Sequence, residues 1–538
     1  MTHLNPILTL LITYLVFSFI IKMVFKIDTF KIFKYIFSIF RSIISIIWST
    51  ILFVSYVVDS IFRLFSRFFF GSENKFHSAS WMSGWNRRKI LHPDNDGLIL
   101  EAHNRISKEL SMTHCLCYSP TGGGKSTAYC IPNLLTLSQR KNSKNKNSKW
   151  SKGASIVISD PSGTIYRKTE KYLRSQRINV QVFDVENISA RYNRLQNIES
   201  FSEYHQIATI LVDASNPDFK GDSFWLDNAK SIISLTIRAL KNRYEILKEI
   251  EENKEDSEII VEVEEVNLKM IYRYLTYFNT DKQEFVDKEF AKYLDADGFQ
   301  EFKSIMGNDS KLLGSMITSA RTSLSKLSDP HIADLTSTNT LDFTALRNEP
   351  TAIFFIVPEK LVSYNQYLTT LVFDDLFSFL SKNKKELNND SDNFLPVYCI
   401  LDEFANIGKL PDFGSVISQI RKYDVSISII IQDIKQLVDL YGSSVCSVIL
   451  SNTINHIFFA GLNLETTRNI SAVLGSVRKT VEDENGIKKE VIYPLLHSDE
   501  IRMLPQNRAI FISGNKRPIM LKLKRYYQHS RYKKMLKG

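Results

Sequence analysis

The sequence predicts an α/β fold: a parallel sheet covered by helices, interrupted by a helical insertion and preceded by a membrane hairpin. Three observations support this prediction. Short apolar runs alternate with amphipathic stretches of helix length, as in parallel sheets covered by helices. Between Asp184 and Thr351 the strand signal nearly stops and helical periodicity dominates. Two uncharged apolar runs near the N-terminus each approach the ~20 residues that a membrane-spanning helix needs.

The composition excludes several classes of protein. The chain has 538 residues, of which 44% are hydrophobic and 23% charged, so it is not a wholly disordered protein. Five cysteines in this length exclude a disulfide-stapled scaffold, and we expect all five to be reduced packing residues. The net charge is +10, and residues 1–70 hold seven Lys/Arg and two acids, which is +5. The other 468 residues therefore carry only +5, so any nucleic-acid contact must be local.

The two apolar runs, 6–21 and 42–58, predict a membrane anchor over residues 1–70. A secretory signal peptide is the alternative for the first run, but a basic start and a small-residue cleavage site are missing. Basic residues number four in the connection and six after the second run, which weakly favours a cytoplasmic body.

A phosphate-binding loop follows the predicted strand 115–118 and precedes helix-compatible sequence at 125–137. Glycines allow successive backbone amides to face phosphates, Lys125 can reach the β- and γ-phosphates, and the Ser126 hydroxyl can ligate magnesium. The usual pattern has Gly where this chain has Ser119, so a chance Gly-rich turn is the alternative until a partner motif is found. The nucleotide-binding candidates are Ser119, Pro120, Thr121, Gly122, Gly123, Gly124, Lys125, Ser126 and Thr127.

The partner motif lies at residues 395–404, an apolar strand that ends in Asp402 and Glu403. In P-loop enzymes the first carboxylate of such a pair holds magnesium, and the second orients and deprotonates the attacking water. The alternative, a pair that merely ends a buried strand, is weakened by the Gly-rich loop. Gln432 ends the next predicted strand, 425–431, where it could sense a γ-phosphate or simply be a surface residue. ATP and Mg²⁺ are therefore the predicted ligands. A need for ATP also favours a cytoplasmic location for this part of the chain.

The remaining strands and helices divide the chain into five predicted regions. Further strands are predicted at 154–159, 180–183, 352–357, 454–459 and 508–512, and helices at 225–247, 268–277, 311–327, 361–380 and 464–474. The regions are the anchor (1–70), the first part of the nucleotide-binding domain (71–200), a mainly helical insertion (201–335), the second part of the sheet domain (336–515) and a basic tail (516–538). The acidic stretch 245–265 is expected to be a solvated loop or helix, or else an interaction surface.

Two basic segments are candidate DNA contacts. Residues 140–152 carry six Lys/Arg and no acid, and residues 516–537 carry nine, interleaved with Tyr526, Tyr527 and Tyr532. Both segments could follow a phosphate backbone, and the tyrosines could stack on bases. The tail could equally bind anionic lipid.

Several stretches occur in the order typical of one family: 119–126, 160–163, 334–343, 357–358, 402–411, 432–442 and 495–505. With the N-terminal hairpin, they give a chain that resembles the type IV coupling proteins, the membrane ATPases of conjugative DNA transfer and type IV secretion. The resemblance extends to about residue 522. Ser119, and Ser162 and Thr164 where the family usually has Lys and Glu, depart from the pattern. The role of Asp160, which begins the second motif, therefore stays open.

The resemblance implies a RecA-like P-loop NTPase domain with an inserted all-α domain, assembled as a homohexamer on the bacterial inner membrane. It implies recruitment of a relaxase with single-stranded DNA, or of effector proteins, and ATP-driven transfer to a type IV secretion channel. It also favours Arg421 over Lys422 as an arginine that completes the neighbouring subunit's active site; a surface role for Arg421 is the alternative. Two rival functions are an FtsK-type DNA translocase and a docking receptor that does not hydrolyse ATP.

Overall fold

The computed structural model describes residues 78–537 except 139–152, 218, 220, 254–262, 281–285, 388–393 and 483–487, together with residues 16, 19 and 23. The predicted membrane helices and the basic segment 140–152 lie outside the described residues, as does the middle of the acidic stretch. Within the described residues, no helix combines the length and the apolar character that crossing a bilayer requires. Ala79–Gly538 forms one compact unit and Met1–Ser78 another.

A nine-stranded sheet forms the centre of the larger unit. Its strands are β3 (Cys115–Tyr118), β4 (Ser155–Ser159), β5 (Asn179–Asp184), β6 (Thr351–Ile356), β7 (Val397–Leu401), β8 (Val425–Ile431), β9 (Asn455–Phe459), β12 (Arg508–Ser513) and β13 (Ile519–Lys522). They lie in the order β13-β12-β9-β3-β8-β7-β4-β6-β5. Seven neighbouring strands, from β9 to β5, are parallel, and β12 pairs antiparallel with both β9 and β13. The predicted parallel sheet is therefore confirmed.

Two small antiparallel pairs complete the strands of the described chain. β1 (Ile99–Glu101) pairs with β2 (Asn104–Arg105), and β10 (Ser476–Glu482) pairs with β11 (Lys488–Pro494). The β10–β11 hairpin is largely exposed and rich in charged residues. Because neither of its faces is buried, it lacks the apolar run or the alternation by which a strand is predicted.

Helices cover both faces of the sheet, and each face has its own apolar core. The predicted helix after the phosphate loop begins as one π-helical segment, Ser126–Cys130, and continues as α3. The α-helices are α1 (Gly84–Ile90), α2 (Lys108–Ser111), α3 (Ile131–Leu137), α4 (Thr164–Ser175), α5 (Phe201–Ser215), α6 (Ser223–Glu252), α7 (Leu268–Thr280), α8 (Ala296–Met306), α9 (Ser310–Ser323), α10 (Pro330–Leu335), α11 (Ala345–Asn348), α12 (Val362–Leu380), α13 (Phe413–Gln419), α14 (Lys435–Asn452), α15 (Leu464–Leu474), α16 (Ser498–Arg502) and α17 (Ser530–Lys537).

The chain between β5 and β6 is helical in its described residues, as the loss of strand signal predicted. Its buried side chains join the apolar core on one face of the sheet, where α12 packs against α5. Beside this contact Arg194 is almost fully buried and pairs with Glu203 at 2.5 Å and with Asp375 at 3.5 Å. Buried charges in a protein are paired in this way because water cannot solvate them. The boundaries 200/201 and 335/336 remain predictions.

The predicted basic tail packs against the body of the protein. Its first part forms β13 at the edge of the central sheet, and α17 packs against α4 and α3. Tyr532 is fully buried, and its hydroxyl donates to the carbonyl oxygen of Ala102 at 2.8 Å. The prediction that Tyr532 offers its ring to bases is therefore wrong, because the ring is part of the core.

Candidate functional site

The candidate site lies at the edge of the sheet where the parallel strands end. The phosphate loop follows β3, and Asp402 and Glu403 follow β7, which is separated from β3 only by β8. The carboxyl ends of parallel strands meet at one edge, so motifs almost 280 residues apart in sequence come together there.

The phosphate loop has the backbone that its glycines allow. Gly122 and Gly124 have φ values of +78° and +91°, a region that residues with a side chain rarely adopt. Ser119, the departure from the family pattern, is fully buried, and its amide donates to the Ile431 carbonyl oxygen at 2.9 Å. A Cβ atom on Gly123 would lie 2.6 Å from the Ser119 hydroxyl oxygen. The serine therefore fills space beneath the loop and does not line its outer surface.

Lys125 forms the centre of a charged cluster. Its Nζ lies 3.0 Å from Oδ1 of Asp402 and 3.1 Å from Oε1 of Glu403, and the Ser126 hydroxyl donates to Oδ2 of Asp402 at 3.2 Å. Burial lowers the pKa of Lys125, but the two carboxylates raise it by more, so that the net shift is upward. Burial also raises the pKa of Asp402, against the opposing effect of Lys125. Four of the predicted residues thus converge through contacts of about 3 Å.

Glu403 has an unusual backbone conformation for a residue with a side chain. Its φ is +52°, in the left-handed region, which costs an L-residue roughly 1–2 kcal/mol. Asn406 holds the side chain by donating to Oε2 at 3.2 Å, and the Asn406 amide donates to the Glu403 carbonyl oxygen at 2.8 Å. Such strain commonly occurs where function requires a particular side-chain direction.

Asp160 is a second buried acid at this edge, and the sequence reasoning did not include it among the site residues. It follows β4, the neighbour of β7, and its Oδ2 accepts from the Tyr166 amide at 2.8 Å. Burial raises its pKa, the amide bonds lower it and the negative charge of Asp402 raises it, with a net result of about 6. Its position at the end of a predicted strand was the signal that could have identified it.

Gln432 and Arg421 lie at opposite ends of strand β8. Gln432 is exposed at the end of β8, on the side of the phosphate loop. Arg421 lies before β8, in the 3₁₀ turn Ile420–Tyr423. His114, which directly precedes β3, is hydrogen-bonded through Nε2 to the Ile417 carbonyl oxygen at 3.0 Å, so this part of the chain lies near the start of β3. Burial lowers the pKa of His114, the bond to Ile417 raises it and the Arg421 charge lowers it, with a net result of about 4. The structure therefore does not bring Arg421 to Lys125 within one chain.

The side chains at this edge can bind a phosphorylated ligand. The Gly-rich loop and Lys125 can surround phosphate oxygens. The Ser126 hydroxyl and an Asp402 carboxylate oxygen converge on one another, and oxygen atoms of this kind are the ligands that Mg²⁺ prefers. Glu403 adds a carboxylate beside them, so the residues fit a magnesium–nucleotide complex.

Comparisons with known proteins agree with this description. The chain is 24% identical over 434 residues to Protein VirD4 of Agrobacterium fabrum, covering 77% of this chain and 58% of that protein. It is 25% identical over 438 residues to Conjugal transfer protein TraG of Escherichia coli, covering 73% and 62% respectively. The chain therefore spans less than two thirds of the length of these relatives.

Solved structures of the conjugative coupling protein TrwB have the same fold. An unbound form is 16% identical with a TM-score of 0.57, covering 80% of this chain and 89% of that one. A complex with ADP and Mg²⁺ is 17% identical with a TM-score of 0.56 and the same coverage. The α/β body around the parallel sheet is thus RecA-like.

A family model described as Type IV secretory system Conjugative DNA transfer matches residues 74–537, most of the chain and nearly all of its described part. The match confirms the resemblance to coupling proteins that the sequence motifs indicated. This chain therefore belongs to the type IV secretory system conjugative DNA transfer family.

Proposed function

We propose that the protein is a coupling ATPase that recruits a relaxase–DNA complex or protein effectors and uses ATP hydrolysis to drive their transfer. The convergence of Lys125, Ser126, Asp402 and Glu403 carries this proposal. Lysine, hydroxyl and paired carboxylates at the carboxyl edge of a parallel sheet are the groups that P-loop ATPases use. TrwB has been solved in complex with ADP and Mg²⁺ and with non-hydrolysable analogues of GTP and ATP.

Nucleotide binding would rearrange the charged cluster. Lys125 now neutralises Asp402 and Glu403, and the β- and γ-phosphates would become its new partners. Ser126 and Asp402 would hold Mg²⁺, which supplies charge neutralisation for the phosphates. Released from Lys125 but still held by Asn406, Glu403 would accept a proton from the attacking water. Gln432, at the end of β8, would orient the same water or sense the γ-phosphate.

The setting of this ATPase is also part of the proposal. The apolar runs within 1–70 support a two-helix anchor in the bacterial inner membrane, with the sheet domain in the cytoplasm. The names of the family and of its TraG members support a DNA substrate and a type IV secretion channel as partners. We further propose a homohexamer, in which Arg421 of one subunit reaches the nucleotide of the next.

Two substitutions test the proposal. Lys125→Ala should abolish tight ATP binding, and Glu403→Gln should leave binding intact while turnover falls by at least ~100-fold, because transition-state stabilisation is lost. ATPase rates and nucleotide affinities are measured on the purified full chain. The exposed residues Lys171 and Glu359 provide matched controls, Lys171→Ala and Glu359→Gln, which should behave as wild type.

Wild-type turnover in both site variants would refute this assignment of the active site. A wild-type protein that binds ATP without any turnover would instead support the docking receptor, in which the nucleotide only sets assembly.

A further inference from the structure

The C-terminal segment places an arginine against the phosphate loop. A Cβ atom built on Gly124 would lie 3.7 Å from Nε and 3.9 Å from Nη2 of Arg525, and 3.6 Å from the Thr127 hydroxyl. The guanidinium therefore lies beside the loop, at the start of the helix that follows it. Nothing in the sequence around Arg525 predicts this contact.

The Arg525 side chain is held by two hydrogen bonds. Nη1 donates to the Tyr527 hydroxyl at 2.8 Å and Nη2 to Oε1 of Gln506 at 2.9 Å. Among the described residues Nε donates to no acceptor, and it is the nitrogen nearest to Gly124. β13 precedes Arg525 and the buried Tyr532 follows it, so the backbone is fixed on both sides. The Nε–H group of Arg525 therefore faces the phosphate loop, and the rest of the side chain is held in place.

The side of the loop that Arg525 occupies indicates which part of a nucleotide it would contact. In P-loops the backbone amides surround the α- and β-phosphates and the lysine reaches the β- and γ-phosphates. Here Lys125 extends toward the carboxylates of Asp402 and Glu403. Gly124 and Thr127 flank the start of the helix, on the α/β-phosphate side. A guanidinium at that position is a strong phosphate partner because its hydrogen bonds are charge-assisted.

We propose that Arg525 is a nucleotide-binding residue that donates from Nε to the α- or β-phosphate of the nucleotide in its own subunit. The proposal rests on the proposed ATPase function and extends it to the C-terminal segment. ATP and ADP share these phosphates, so Arg525 contributes equally to the binding of both. This separates its role from that of a γ-phosphate sensor such as Gln432.

The test is the dissociation constant of fluorescently labelled ATP and ADP for the full chain. Arg525→Ala should weaken both by about 10- to 100-fold, the effect of losing one charge-assisted hydrogen bond. KM for ATP should rise by a similar factor, with kcat changed little. Arg525→Lys should recover part of the affinity. Arg531→Ala, a substitution at an exposed position, should leave the affinity for both nucleotides unaltered.

A milder variant guards against misfolding. Tyr527→Phe removes only the hydroxyl that accepts from Nη1, and should weaken both nucleotides by a few-fold. Unchanged affinity in Arg525→Ala, with binding lost in Lys125→Ala, would overturn the inference and leave the proposed function standing. Loss of ATP affinity alone would also overturn it, since it would indicate a γ-phosphate contact. A wild-type chain that bound neither nucleotide would instead contradict the proposed function.

Discussion

Mixing two inactive variants tests whether Arg421 acts across a subunit interface. Lys125→Ala removes the cation of the phosphate loop, and Arg421→Ala removes the proposed partner supplied by the neighbouring subunit. Each pure variant should lose activity, since arginines supplied in this way contribute about 10³- to 10⁵-fold to turnover in well-studied cases. In mixed rings, an Arg421→Ala subunit can supply Lys125 while its neighbour supplies Arg421.

The sheet geometry separates Arg421 from the phosphate loop of its own chain. Lys125 follows the carboxyl end of β3, whereas Arg421 precedes the amino end of β8, its parallel neighbour. β8 spans Val425–Ile431, roughly 20 Å at about 3.3 Å per residue. No side chain reaches that far, so Arg421 can act at a phosphate only if that phosphate is bound by another subunit.

Random mixing fixes the expected recovery. Each site needs one intact residue from each of two adjacent subunits, so in an equal mixture about a quarter of the sites are complete. Steady-state ATPase should therefore recover to about a quarter of the wild-type rate if sites act independently. A mixture of Lys125→Ala with Glu403→Gln is the matched control, because both residues belong to the same chain's site and cannot complement. No recovery in the first mixture, with co-assembly shown by two affinity tags, would refute action in trans.

Two further predictions concern stability and DNA binding. Burial raises the pKa of Asp374 to about 6, and its Oδ2 has no hydrogen-bond partner in the described chain. The folded state therefore holds this proton more tightly than the unfolded state, and stability is lost as the pH rises from about 4 through 6. Asp374→Asn should be more stable than wild type by about 3 kcal/mol at pH 7.5, and this gain should fall below about 1 kcal/mol near pH 4, in denaturant titrations; equal stability at both pH values would contradict this. For DNA, neutralising the exposed Arg531, Lys533 and Lys534 should flatten the log–log salt dependence of affinity by ~0.7 to 0.9 per lost phosphate contact, and an unchanged slope would exclude α17 as a contact.

The central sheet and its principal site were predictable because their signals are local. The phosphate loop, Asp402 and Gln432 each directly follow an apolar strand, and topology alone then brings the strand ends to one edge. The strands β3, β7 and β8 are buried along their whole length and mostly apolar, because helices cover both faces of the sheet. The apolar pattern of these strands and the positions of the motifs after them were therefore sufficient to predict the sheet and its site.

The residues that were missed depend on tertiary contacts. Arg525 reaches the phosphate loop only because β13 pairs with β12, and a four-residue strand within a basic segment has no distinctive pattern. Tyr532 resembles an aromatic residue of a basic tail, yet α17 places it in the core. The burial of Asp160, and hence its raised pKa, likewise follows from its neighbours in the folded sheet.

The order of strands in the sheet has a consequence for biosynthesis. β3 lies between β8 and β9, but about 300 residues separate its end from the start of β8, which takes roughly 15–60 s to translate at about 5–20 residues per second. During that time its apolar side chains and unpaired backbone lack their final neighbours on either side. Strands exposed in this way favour aggregation and slow folding. The nascent chain is therefore expected to need chaperones until β9 leaves the ribosome, and the phosphate loop can take its final form only after that.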